Sequence, residues 1–170
     1  MTLYLIRHGP AEARSPTGDD AARRLTPEGR TKTRAAARGL RALGARFDVL
    51  LTSPLPRAAE TAGIVSEAFG RRPPPRDFPG LAPGVGAAET ARLLRGAVRS
   101  ERVAVVGHEP GLSRLAALLL TGSPDGVAIR LKKGGVIVLD VAGFAPRTGG
   151  TLRAVLPPRL LRRLGGRRRG

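Results

Sequence analysis

Four side chains in this sequence have the types and the spacing to hold an anion and attack it: Arg7, His8, Arg57 and His108. Each lies at or just after the end of an apolar run. Leu3-Tyr4-Leu5-Ile6 stops in Arg7-His8-Gly9, Val49-Leu50-Leu51-Thr52 runs into Ser53-Pro54 with Arg57 beyond, and Val103 to Gly107 stops at His108. If the three runs are parallel strands of one sheet, their carboxyl ends share an edge, where open α/β sheets bind ligands. Two guanidiniums and two imidazoles around one point make an anion pocket, and the planar fork of arginine matches phosphate oxygens. Gly9 allows a sharp turn and a close approach of backbone to ligand. The helix that follows Ser53-Pro54 can add N–H donors and the positive end of its dipole.

The elements needed to position these groups are legible in the patterning. A polar, breaker-rich loop from Pro10 to Arg24 is long enough to act as a flap. Thr26 reads as an N-cap with Pro27 at the first helical position, and Gly44 closes that helix. A second strand covers Phe47 to Thr52, and the next helix opens at Ser53-Pro54 and runs to about Phe69. Arg71 to Gly86 is a Pro/Gly-rich excursion, followed by a helix over Ala87 to Val98. Arg102 to Gly107 is a central strand, and a helix spans Leu112 to Leu120. Val127 to Leu131, Val136 to Val141 and Thr151 to Leu156 read as further strands, partly antiparallel. The expected fold is a three-layer α/β/α sandwich on a mostly parallel, mixed central sheet. One domain is expected over residues 1–158, with a basic tail over 159–170.

Composition narrows the chemistry. The chain has 170 residues and no cysteine, so disulfides, thiolate metal sites and cysteine nucleophiles are excluded. Its two histidines show no metal-ligand spacing, and no metal or other cofactor is expected. No leader-like or membrane-spanning apolar run is present, and a cytoplasmic location is the expectation. Thirty Lys and Arg stand against 13 Asp and Glu, a formal charge of +17. Such a surface attracts polyanions, which concerns encounter rather than chemistry. Arg162, Arg163, Arg167, Arg168 and Arg169 could contact a nucleic-acid backbone. One Tyr and no Trp supply no stacking platform, which argues against nucleic acid as the main partner.

The ordered motifs resemble those of the histidine phosphatase superfamily, which contains the phosphoglycerate mutases and many phosphatases. Arg7-His8-Gly9, Ser53-Pro54 with Arg57-Ala58 and Thr61, and Gly107-His108 carry the likeness. Leu25-Thr26 with Gly29, Leu81 with Pro83-Gly84, Gly107 to Pro110 with Leu112-Ser113, and Leu131-Lys132-Lys133-Gly134-Gly135 are similar to the SixA-type phosphohistidine phosphatases. The likeness extends to Pro158. It implies that His8 is the nucleophile and carries a phosphohistidine intermediate, with Arg7, Arg57 and His108 clamping the phosphoryl oxygens. Gly9, Ser53 and Lys132 complete the expected phosphate and substrate contacts. Ser53 reads as a helix cap rather than a nucleophile, and Lys132 and Lys133 could equally be a basic mouth or a solvated strand end.

Two questions stay open at this level. The acid that many superfamily members use has no clear counterpart; Asp77 and Glu89 lie in the right region, and SixA-type members lack the usual acid. Glu60 and Glu109 read as structural. The expected substrate is phosphohistidine in a protein, with a small phosphomonoester, nucleotide or polyphosphate as the alternative on the same site, and a polyanion-binding module as the non-enzymatic one. A mutase is disfavoured, because the chain is short and without substrate-binding insertions.

Overall fold

The computed structural model describes residues 1–15, 17–145 and 149–166. The elements run β1 (Thr2–Arg7), α1 (Pro27–Ala42), β2 (Val49–Thr52), α2 (Pro56–Ala68), β3 (Pro75–Asp77), α3 (Ala87–Ala97), β4 (Arg102–Gly107), α4 (Gly111–Thr121), β5 (Val136–Asp140), β6 (Thr151–Leu156) and α5 (Pro158–Gly166), with short 3-10 turns at Asp20–Ala22 and Pro79–Leu81. They build a six-stranded sheet in the order β3-β2-β4-β1-β5-β6. The first four strands are mutually parallel, and β5 and β6 are antiparallel additions.

Strand alternation sorts the core into two layers. Leu3, Leu5, Val103, Val105, Ile137 and Leu139 face one side and pack with Ala91 and Leu94 of α3 and Leu112 and Leu115 of α4. Ile6, Leu50, Ala104, Val106 and Val136 face the other and meet α1, α2 and Leu161 of α5. The three-layer sandwich expected from the sequence is therefore the fold. Thr26 caps α1 by accepting the Gly29 N–H at 2.9 Å, with Pro27 as the first helical residue. Gly44, at φ +81, turns the chain out of that helix. Among the described residues no helix is long and apolar enough to cross a membrane.

Three expectations change. Val127 to Leu131 is not a strand; both sides of β1 are taken by β4 and β5, so the ladder has no place for it there. The excursion from Arg71 to Gly86 contains β3, a short exposed edge strand starting at a proline, which has no N–H to offer a ladder. The segment read as a basic tail from residue 159 is helical through Gly166. Leu161, 1% exposed, is part of the core, and α5 lies so close to α1 that a Cβ at Gly39 would strike the Leu161 carbonyl and one at Gly165 the Ala35 carbonyl. Arg167, Arg168 and Arg169 lie outside the described residues.

Candidate active site

The carboxyl ends of β1, β2 and β4 meet at one edge, and a hydrogen-bonded turn locks the first of them. Arg7 N–H donates to the Gly135 carbonyl at 3.1 Å and His8 N–H to the Gly107 carbonyl at 3.1 Å. Gly134 N–H in turn donates to the carbonyls of Arg7 and His8, at 3.1 and 3.0 Å. The Leu131–Gly135 run thus grips the Arg7-His8-Gly9 turn from the far end of the chain. Gly9 N–H donates to Thr61 Oγ1 at 3.0 Å, and that hydroxyl donates to the Arg57 carbonyl at 2.7 Å. One threonine therefore ties the β1 turn to the first turn of α2. A Cβ at Gly9 would run into Thr33 Oγ1, so the glycine is required by packing on α1.

His8 is 4% exposed. Its Nδ1 lies 2.8 Å from the Gly9 carbonyl. A carbonyl can only accept, so Nδ1 carries the proton and Nε2 holds the free lone pair. Burial pushes the ring pKa down to about 4; the Gly9 bond opposes this, while Arg57, Arg7 and Lys133 lower it further. At neutral pH the imidazole is an uncharged base, with burial the largest single cause. Lys133, not Lys132, is the lysine felt by His8; both side chains are exposed, and the Lys132 carbonyl accepts the Gly135 N–H at 2.8 Å.

His108 lies beside it, the two rings 5.1 Å apart between centroids and tilted by 52°. Burial, then His8 and Arg57, push its pKa down to about 3. His108 Nε2 is 2.9 Å from Ser53 Oγ, and Ser53 accepts the Leu55 N–H at 3.4 Å. Donation by the serine hydroxyl would leave the imidazole proton on Nδ1 as a buried donor. Ser53 is thus not the cap of α2, whose N-cap is Leu55 without a side-chain bond. Fully buried, it is the side-chain partner of the second histidine.

Arg57 is 4% exposed. Its Nη1 donates to the Asp20 carbonyl at 2.7 Å and its Nη2 to Asp20 Oδ2 at 3.0 Å. Arg7 Nη1 donates to the Leu131 carbonyl at 2.8 Å. The Nε atoms of Arg7 and Arg57 and the Nδ1 of His108 are buried without a hydrogen-bond partner in the structure. Buried donors flanking an uncharged imidazole can bind an oxyanion and stabilise charge as it shifts during phosphoryl transfer.

The flanking carboxylates sort cleanly. Glu89 is held by Arg92 on the exposed face of α3, which lowers its pKa. Asp77 is exposed at the end of β3. Glu60 binds Leu25 N–H and Arg30, as a structural residue would, and Glu109 accepts the Ser113 N–H at the start of α4. Asp20 is the carboxylate that reaches the site, and sequence reading passed over it. The available signal was an acidic pair, Asp19-Asp20, in a flap of a chain poor in acids. Beside His108 opens a cleft of about 450 Å³, lined by Leu81, Pro83, Val85, Glu109 and Arg114.

The family model for the histidine phosphatase superfamily (branch 1) matches residues 3–82. An uncharacterized protein of Picosynechococcus is 42% identical over 142 residues, covering 82% of this chain and 84% of its own length. The protein histidine phosphatase SixA complexed with tungstate superposes with a TM-score of 0.75 at 24% identity, over 95% of this chain and 99% of its own. A SixA protein from Nakamurella multipartita (TM-score 0.74, 26% identity) covers 92% of this chain and 95% of its own. Family model and structural neighbours together make this chain a phosphatase. The chain belongs to the histidine phosphatase superfamily, and its fold is that of the SixA structures.

Proposed function

We propose that this phosphatase hydrolyses phosphohistidine in a protein through a phosphohistidine formed on its own His8. The observation that carries the reading is the Gly9 carbonyl on His8 Nδ1. It aligns a neutral ring with its Nε2 lone pair free, and it accepts the N–H that acquires positive character once Nε2 is phosphorylated. His8 Nε2 bonds to phosphorus as the bond from phosphorus to the substrate imidazole breaks, and the departing nitrogen keeps the electron pair. Water then displaces His8 and inorganic phosphate leaves. Arg7, Arg57 and the Nδ1–H of His108 hold the phosphoryl oxygens throughout.

The placement of the carboxylates supports a nitrogen leaving group. Asp77 and Glu89 both sit on exposed surfaces, and an imidazole depends less on an enzyme acid than an alkoxide does. The test is phosphate release from a phosphohistidine-bearing protein in EDTA, comparing wild type with His8→Ala. EDTA-resistant turnover lost in the variant is the expected result. His8-dependent hydrolysis of polyphosphate or a small ester, with none of phosphohistidine, would retain the site and replace the substrate. Equal inertness of both proteins on every phosphate would reject the mechanism.

A further inference from the structure

We propose that Asp20 is an internal counter-anion that occupies the phosphoryl fork of Arg57 between turnovers, and that it sets which anions the site retains. The inference rests on the reading that Arg57 binds the substrate phosphoryl group. Both terminal nitrogens of Arg57 are engaged by this one residue, through its carbonyl and through Oδ2. A bidentate arginine–phosphate contact draws on at least one of those terminal nitrogens even when Nε takes part, so substrate and Asp20 compete for the fork.

The two partners differ in burial. The Arg57 side chain is 5% exposed, whereas that of Asp20 is 68% exposed and belongs to a 3-10 turn in the loop between Gly9 and Arg24. The arginine stays and the carboxylate can leave. Its other oxygen, Oδ1, accepts from Arg23 Nη1 at 2.8 Å, a neighbour in the same turn that can keep it paired once displaced. A buried guanidinium left without an anion is costly, so the fork exchanges one anion for another. A tethered carboxylate also acts at high effective concentration. Singly charged solutes are outcompeted, a phosphoryl dianion is not, and product phosphate faces a returning competitor that hastens its release.

The test is calorimetric binding of inorganic orthophosphate to wild type, Asp20→Asn, Asp20→Ala and Arg57→Ala, and to the Asp20→Asn/Arg57→Ala pair. Removing the charge of Asp20 is expected to tighten phosphate binding about tenfold and to strengthen product inhibition in parallel. The gain should vanish in the Arg57→Ala background, because the competition runs through that side chain. Phosphate binding no tighter in either Asp20 variant, with wild-type binding measurable, would overturn the inference alone. So would a gain that persists without Arg57. No phosphate binding by any variant would overturn both the inference and the reading beneath it.

Discussion

His8 and His108 come from strands a hundred residues apart in the chain, yet their rings sit 5.1 Å apart, both buried and both uncharged at neutral pH. Parallel pairing of β1 with β4, Arg7 opposite Gly107, brings them together. Each ring is held from behind, His8 by the Gly9 carbonyl and His108 by Ser53.

Burial of His8 ties stability to pH with a definite sign. Its folded pKa, about 4, lies below the 6.5 of the free imidazole, so the unfolded chain binds the proton more readily. The contribution is full above pH 6.5 and is lost as pH falls from there towards 4. The difference between pH 7 and pH 4 should be about 3 kcal/mol from this residue. Denaturant unfolding of wild type and His8→Gln at both pH values measures it. Equal pH dependence in the two proteins would contradict the assignment.

Ser53→Ala should leave the fold intact and lower kcat about tenfold, because His108 loses its side-chain partner. KM should move less than kcat. An unchanged kcat would show that the serine only fills space.

The two lysines after Leu131 should separate. Lys133→Ala is expected to raise the pKa of His8 and weaken phosphate binding a few-fold, with Lys132→Ala close to wild type, as only Lys133 acts on His8. Imidazole NMR titration of the two variants decides it, and a larger shift in Lys132→Ala would reverse the order.

Leu161→Ala should destabilise the protein by about 2–5 kcal/mol, the cost of a core leucine, although it lies in an arginine-rich segment. Gly39→Ala should also destabilise, since its Cβ meets backbone at Leu161 rather than a side chain that could rotate away. A loss below about 1 kcal/mol in Leu161→Ala would place α5 outside the core.

The sheet and the paired histidines were legible because apolar runs of strand length end abruptly in functional residues, and parallel topology does the rest. What escaped were relationships of tertiary origin. Nothing local links Asp20 to Arg57, 37 residues on. Ser53 stands where a helix cap would, and only the late start of α2, at Pro56, frees it for His108. In α5 the arginines conceal one buried leucine among three, Leu161, on which the packing depends. Val127 to Leu131 has strand-like composition but no free ladder beside β1.

The place of β1 in the sheet has a consequence for how the molecule comes into being. Its neighbours are residues 102–107 and 136–140, not the strand that follows it in sequence. During synthesis β1 therefore waits, unpaired and apolar, until residues 102–107 have left the ribosome. His8 is made before residues 102–107 and 136–140, and it acquires its surroundings only once they follow. Folding dominated by such distant pairings is slow and leaves a sticky nascent segment exposed, so in the cell this enzyme should lean on chaperones that shield early hydrophobic segments.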